Sequence, residues 1–166
     1  MIVYHGSNLE VQKPKLLVPN RFLDFGPGFY TTTNFEQATS FAQKVCLRAN
    51  DGQAIVNEYE LDDDYKEKLS ILEFKNANEE WLDFVSNNRN GNMEKHSYDL
   101  IVGPVADDNI YRTFLLYQTG VLSKEQTIEM LRVKELFNQF VFATDKSIDM
   151  LKFSKSLNVG GGSKDE

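Results

Sequence analysis

The chain has 166 residues, 41% hydrophobic and 26% charged, which suits one folded domain with its own core. A net charge of −7 and a pI of about 4.9 argue against an extended nucleic-acid footprint, which relies on clustered Lys and Arg, but leave room for a nucleotide needing one or two local donors. A single cysteine and two histidines rule out an intrachain disulfide and argue against a Cys- or His-built metal site. With no basic-then-apolar leader and no apolar run of the ~18 residues that span a bilayer, the expectation is a cytoplasmic protein with no membrane partner and no metal.

In chain order, Ile2–His5 is a short strand ended by Gly6-Ser7, followed by a Pro- and Asn-bearing loop to about Arg21. Asp24-Phe25-Gly26-Pro27-Gly28 is a turn that delivers the β-prone Phe29–Thr32. Asn34 is an N-cap with Gln37 three residues on, and Phe35, Ala38, Phe41, Ala42, Val45 and Cys46 recur at helical spacing as the buried stripe of a helix. Ala54–Leu61 and Leu69–Phe74 are strand-like, with Asp62-Asp63-Asp64 a solvated turn that lacks calcium-loop spacing. Asn78 caps a helix over Glu79–Asn88 whose apolar stripe is Trp81, Leu82 and Val85.

Tyr98–Val102 is a buried strand ended by Gly103-Pro104, and Asp107–Gln118 has helical character. Ser123 opens a helix to about Leu136, with Gln126 completing a capping box; Gln139–Phe142 and Met150–Phe153 are the last strands. Residues 158–166, N-V-G-G-G-S-K-D-E, have the composition of a flexible tail, which leaves a single domain over residues 1–157. This is no regular βαβ alternation, so the fold class expected is mixed α+β.

Three features carry candidate chemistry: Tyr4-His5-Gly6-Ser7, Asp24 to Thr32, and Gly103-Pro104-Val105-Ala106-Asp107-Asp108. Each has a plainer reading, as a core histidine, a sheet aromatic, a positive-φ turn glycine or a helix cap. The glycines form neither a dinucleotide fingerprint nor a phosphate loop. Together, however, His5 supplies a directional partner for a hydroxyl, Gly6 leaves backbone groups open to an amide, and Tyr30 offers a stacking face. A flat aromatic amide joined to a hydroxylated ribose describes the nicotinamide riboside half of NAD⁺.

Y-H-G-S, D-F-G-P-G-F-Y-T-T, W-L-D-F-V…N-R, Y-D-L-I-V-G-P-V-A-D-D and Q-F-V-F-A-T, spread from Ile2 to Phe153, resemble the ADP-ribosyltransferase superfamily in its His-Tyr-Glu branch. They are most similar to an uncharacterised bacterial family assigned to that superfamily, whose members often lie in toxin–antitoxin operons. The resemblance implies a split antiparallel β-sheet core with flanking helices, NAD as co-substrate and mono-ADP-ribosyl transfer to a macromolecular acceptor, protein ahead of nucleic acid, by a toxin-like effector with an antitoxin partner. It gives His5 the ribose hydroxyl, Gly6 the nicotinamide amide and Tyr30 the nicotinamide ring. Ser7, Gly28 and Thr31 complete the nucleotide-binding set, with Arg21 as pyrophosphate partner.

Gln139 falls where the resembling transferases carry Glu. Breaking the C–N glycosidic bond develops positive charge on the ribose, and a carboxylate stabilises it. Gln139 can hold the 2′-hydroxyl but carries no charge, so Asp24, Asp107 or Asp108 is the expected source of it. NAD⁺ hydrolysis and non-catalytic binding of NAD⁺ or ADP-ribose are the rival readings, with a pure interaction protein behind them.

Overall fold

The elements in chain order are β1 (Ile2–Ser7), β2 (Phe29–Thr32), α1 (Phe35–Ala49), β3 (Ile55–Leu61), α2 (Tyr65–Lys68), β4 (Ile71–Glu73), α3 (Glu79–Arg89), β5 (Leu100–Pro104), α4 (Asp108–Gln118), α5 (Lys124–Arg132), β6 (Asn138–Phe142), α6 (Asp145–Ile148) and β7 (Leu151–Asn158). The computed structural model describes residues 1–16, 23–92, 96–105, 108–132 and 138–160, with the side chains of residues 108–111 and 132 outside that description. Arg21 and Asp107 therefore lie outside the described residues, as does the side chain of Asp108.

The strands form one seven-stranded sheet in the order β4-β5-β6-β2-β1-β3-β7. All neighbours are antiparallel except the pair β4–β5, which is parallel. The α+β class expected from the sequence is the one found. At the middle of the sheet, β1 and β2 share a single registered pair, Tyr4 with Thr32. On either side the ladders are longer, with six pairs between β1 and β3 and four between β2 and β6. Two well-paired halves thus meet at a thin seam.

Side-chain alternation divides the core between the two faces. Ile101 and Val141 face one side with Phe25, Trp81 and Phe114, whereas Leu100, Val102, Phe140 and Phe142 face the other with Val3 and Tyr59. Helices α3, α4 and α5 contribute Trp81, Phe114 and Leu131 to the first side. The second is closed in part by Val11 and Leu16, held down where the Tyr59 hydroxyl donates to Val11 O at 2.5 Å and Val11 N donates to Asn57 Oδ1 at 2.8 Å.

Capping follows the sequence with one rearrangement. Asn34 Oδ1 accepts from Gln37 N at 2.8 Å. The Gln37 side chain does not return to Asn34: its Oε1 accepts from the Thr32 hydroxyl, while Asn34 N donates to Thr32 Oγ1, so β2 itself closes the cap. Asn78 caps α3 through Trp81 N, and the Ser123–Gln126 box opens α5. The buried stripe of α1 is narrower than its periodicity suggests: Ala38 and Ala42 are buried, but Phe35 and Phe41 are 38% and 39% exposed. A Cβ on Gly6 would lie 2.3 Å from Ala38 O and 2.7 Å from Ala42 N. The helix backbone comes down on that glycine, which leaves larger residues on its flanks. Cys46 is half-buried on the same side, its thiol directed at Asp51 O and Gly52 O.

Two boundaries move. Asp62–Asp64 leads into the one-turn helix α2, and β7 continues to Asn158, beyond Phe153, because β3 offers it partners to Ile55. Asn158, expected to begin a loose tail, ends that strand, and Val159 N donates to Ala54 O at 2.8 Å. The one-turn helix α6, capped by Thr144, had no periodic signal in the sequence because four residues are too few for one.

Candidate functional site

The site residues gather at the β1–β2 seam. Met1 and Leu61 exchange both backbone hydrogen bonds, which makes them a hydrogen-bonded pair of the β1–β3 edge. Antiparallel alternation then turns Val3, His5 and Ser7 toward β3 and Tyr4 and Gly6 toward β2. The registered β1–β2 ladder ends at Tyr4, so the Gly6 amide and carbonyl face the seam just beyond it. The missing side chain of Gly6 admits α1, while its backbone groups face the seam.

His5 enters the seam from the opposite face. Its Nδ1 lies 2.7 Å from Tyr30 O; a carbonyl only accepts, so Nδ1 carries the proton and Nε2 is left as an acceptor. The imidazole ring stacks on Phe29 at 4.2 Å between centroids. Desolvation lowers the His5 pKa, outweighing the bond to Tyr30 that raises it, so the ring is neutral at pH 7. A neutral imidazole with a free acceptor nitrogen can receive a sugar hydroxyl.

Tyr30 lies on the other face, with its register partner Val141 and the Phe25–Trp81 side of the core. Its hydroxyl donates to Gly26 O at 2.6 Å and accepts from Phe25 N at 3.0 Å. Burial, and then the nearby Asp24 carboxylate, push the phenol pKa up, so it remains a donor. Gly26, at φ +75°, gives the turn the left-handed step that brings its carbonyl under the phenol.

Gln139 shares the Tyr30 face, opposite Thr32 on β2 and Gly103 on β5. It is 6% exposed, and its Nε2 is buried without a hydrogen-bond partner. An unmade bond of this kind costs ~1–3 kcal/mol. The structure therefore places Tyr30 and Gln139 on one face of the sheet next to the Gly6 edge of β1, with His5 on the other face bonded to the Tyr30 carbonyl.

The other candidates are occupied. Thr31 points away from Tyr30 and donates to Phe140 O at 3.0 Å. Gly28 lets β2 approach β6, since a Cβ there would meet Val141 Cγ1 at 2.5 Å and Phe142 O at 2.9 Å. Ser7 is 9% exposed and belongs to the β1–β3 ladder. The Asp24 carboxylate pairs with Arg89 at 2.5 Å, with 14% and 17% of the two side chains exposed. The carboxylate expected to face the ribose is thus held in an ion pair with that guanidinium.

Sequence reasoning missed Arg89, Asn88 and Asn57. The first two stood in the N-R step of the α3 motif, where a basic residue in a last helical turn is a weak signal. Asn57, fully buried, holds the chain at Leu9 and Val11 under the sheet, which periodicity alone does not reveal. Among the described residues no group of three or more His, Cys, Asp and Glu could hold a metal, and no helix is long and apolar enough to cross a membrane.

Residues 1–153 match the model of a family described as "Protein of unknown function (DUF3990)", and the chain belongs to that family. No curated protein and no solved structure matches it.

Proposed function

We propose that this DUF3990 member is an NAD-dependent mono-ADP-ribosyltransferase of the ADP-ribosyltransferase superfamily, acting on a macromolecular acceptor. The observation that carries the reading is the seam. The backbone amide and carbonyl of Gly6 lie at the β1 edge of the seam, the unpartnered donor of Gln139 and the fixed ring of Tyr30 share one face beside it, and His5 bonds Tyr30 O from the other face with its Nε2 left as an acceptor. Nicotinamide riboside carries the complementary set: an amide, a flat ring and hydroxyls that donate and accept. In the reaction an acceptor nucleophile attacks ribose C1′, the C1′–N bond breaks and its electron pair leaves on nicotinamide. His5 and Gln139 hold the ribose hydroxyls and Tyr30 holds the ring.

One observation favours a second reading, binding without turnover. Gln139 is uncharged, and Asp24, the described carboxylate beside Tyr30, is paired with Arg89. A single experiment separates the two. Wild type, His5→Ala and Tyr30→Ala are incubated with NAD⁺ labelled on the adenylate and with whole-cell lysate. Transfer predicts label on protein from the wild type and none from either variant. Nicotinamide release with no labelled macromolecule selects hydrolysis. Calorimetric NAD⁺ binding with no release selects the binding module, and no binding at all ends the nicotinamide reading.

A further inference from the structure

The ion pair between Asp24 and Arg89 has no place in the chemistry above, yet it is more than half-buried on both sides and lies next to Tyr30. Arg89 and Asn88 are the last residues of α3 and reach across the sheet face to the turn before β2. Arg89 Nε meets Asp24 Oδ1, and Asn88 Nδ2 donates to Asp24 O at 3.0 Å, so the turn is gripped by side chain and backbone at one residue. The Arg89 guanidinium also lies over the Phe114 ring, 5.3 Å from its centroid, which ties the grip to α4. The next two residues of the turn, Phe25 and Gly26, are the ones whose backbone groups bond the Tyr30 hydroxyl. A Cβ on Gly26 would lie 3.4 Å from Asn88 Oδ1, so the turn packs on the end of α3.

We infer that Arg89, through Asp24, is a positioning residue for Tyr30: it fixes the angle at which the tyrosine ring meets the nicotinamide. The inference rests on the nicotinamide role given to Tyr30 above. A phenol held at its hydroxyl by two backbone groups keeps its orientation only if those groups are themselves fixed, and the turn carrying them has no ladder of its own before Phe29. The ion pair supplies that restraint without touching the ligand.

The consequence is selective. Loosening the clamp blurs the ring contact but leaves the rest of the nucleotide site alone. Arg89→Gln and, separately, Asp24→Asn are each expected to weaken NAD⁺ binding about tenfold while ADP-ribose, which lacks the ring, binds as before. The double variant loses no more than either single one, because both act on one contact. Exchange of the Phe25 amide hydrogen quickens in both variants, since its acceptor is the restrained phenol.

The comparison includes Tyr30→Ala. If Tyr30→Ala weakens NAD⁺ and the clamp variants, folded by circular dichroism, bind it like wild type, the positioning role is wrong and the functional reading survives. Equal losses for NAD⁺ and ADP-ribose would also overturn it, as general damage to the fold. Should Tyr30→Ala itself bind NAD⁺ normally, the functional reading fails and this inference with it.

Discussion

At the scale of single residues, the two polar groups set into the seam, His5 half-buried and Gln139 buried, make opposite demands. His5 is held neutral by burial, so its folded pKa lies below its ordinary 6.5. The sign follows from proton counting: the unfolded chain binds the proton first, and the stability due to neutral His5 is complete above about pH 6.5 and is lost as pH falls toward the folded value. Wild type is therefore expected to lose stability between pH 7.5 and 5, and His5→Gln to lose less over that interval. Urea midpoints of both proteins at the two pH values check this. Protonation would also turn Nε2 from acceptor to donor, so NAD⁺ affinity should fall in parallel.

Gln139 is the reverse case, a buried donor that carries a cost in the free protein and that the proposed function sets against the ribose. Replacing it with Leu removes the orphaned donor and is expected to raise stability by about 1 kcal/mol while abolishing nucleotide turnover. Gln139→Glu should do the opposite. A carboxylate ~4 Å from the developing charge is worth about 4 kcal/mol at an effective dielectric near 20, roughly three decades of nicotinamide release. The gain should grow with pH, because burial keeps a lone carboxyl protonated until alkaline values. Melting curves and a nicotinamide-release assay, run on both variants, would expose an error in either half. A Leu variant that is less stable than wild type would mean that Gln139 already has its partner.

At the scale of elements, Gly6 carries the closest approach of a helix to the sheet among the described glycines. Gly6→Ala forces the α1 backbone away from β1 at Ala38 and Ala42, and backbone cannot swing aside as a side chain can. The expected loss is about 3 kcal/mol, at the upper end of overpacking costs, read as a drop in the urea midpoint. Asn34→Ala removes only a cap, at about 1 kcal/mol, so the pair of variants ranks packing above capping for this helix. The same helix shows what sequence could and could not convey. Its start was legible at Asn34 because a cap is a local hydrogen bond, and its period was legible from Ala38 and Ala42. The exposure of Phe35 and Phe41 was not, because it depends on a glycine far back in the chain, on β1.

At the scale of the whole molecule, the α+β class followed from the element order, whereas the strand order did not. Nothing local in Asn138–Phe142 says that it lies between β5 and β2, and that placement is what brings Gln139 opposite Thr32. His5, Tyr30 and Gln139 were legible as residues from the motifs around them. Their division between two faces was not, since it needs the register of β1 against β2. Asp24 was the clearest surprise: a carboxylate in a turn looks free in sequence, and its ion pair becomes visible only with the arrival of α3 from sixty-odd residues away.

The order of the sheet leaves β7 on one outer edge, eight residues long, against three for β4 at the other. An eight-residue edge is a template on which a foreign strand could add and aggregation could begin. Lys152 and Lys155 stand on that strand, paired to Asp62 just past the end of β3 and to Glu58 on β3, and more than half exposed. Each incoming strand would have to desolvate those ammonium groups. Beyond their ion pairs, these lysines act as gatekeepers that keep the sheet at seven strands.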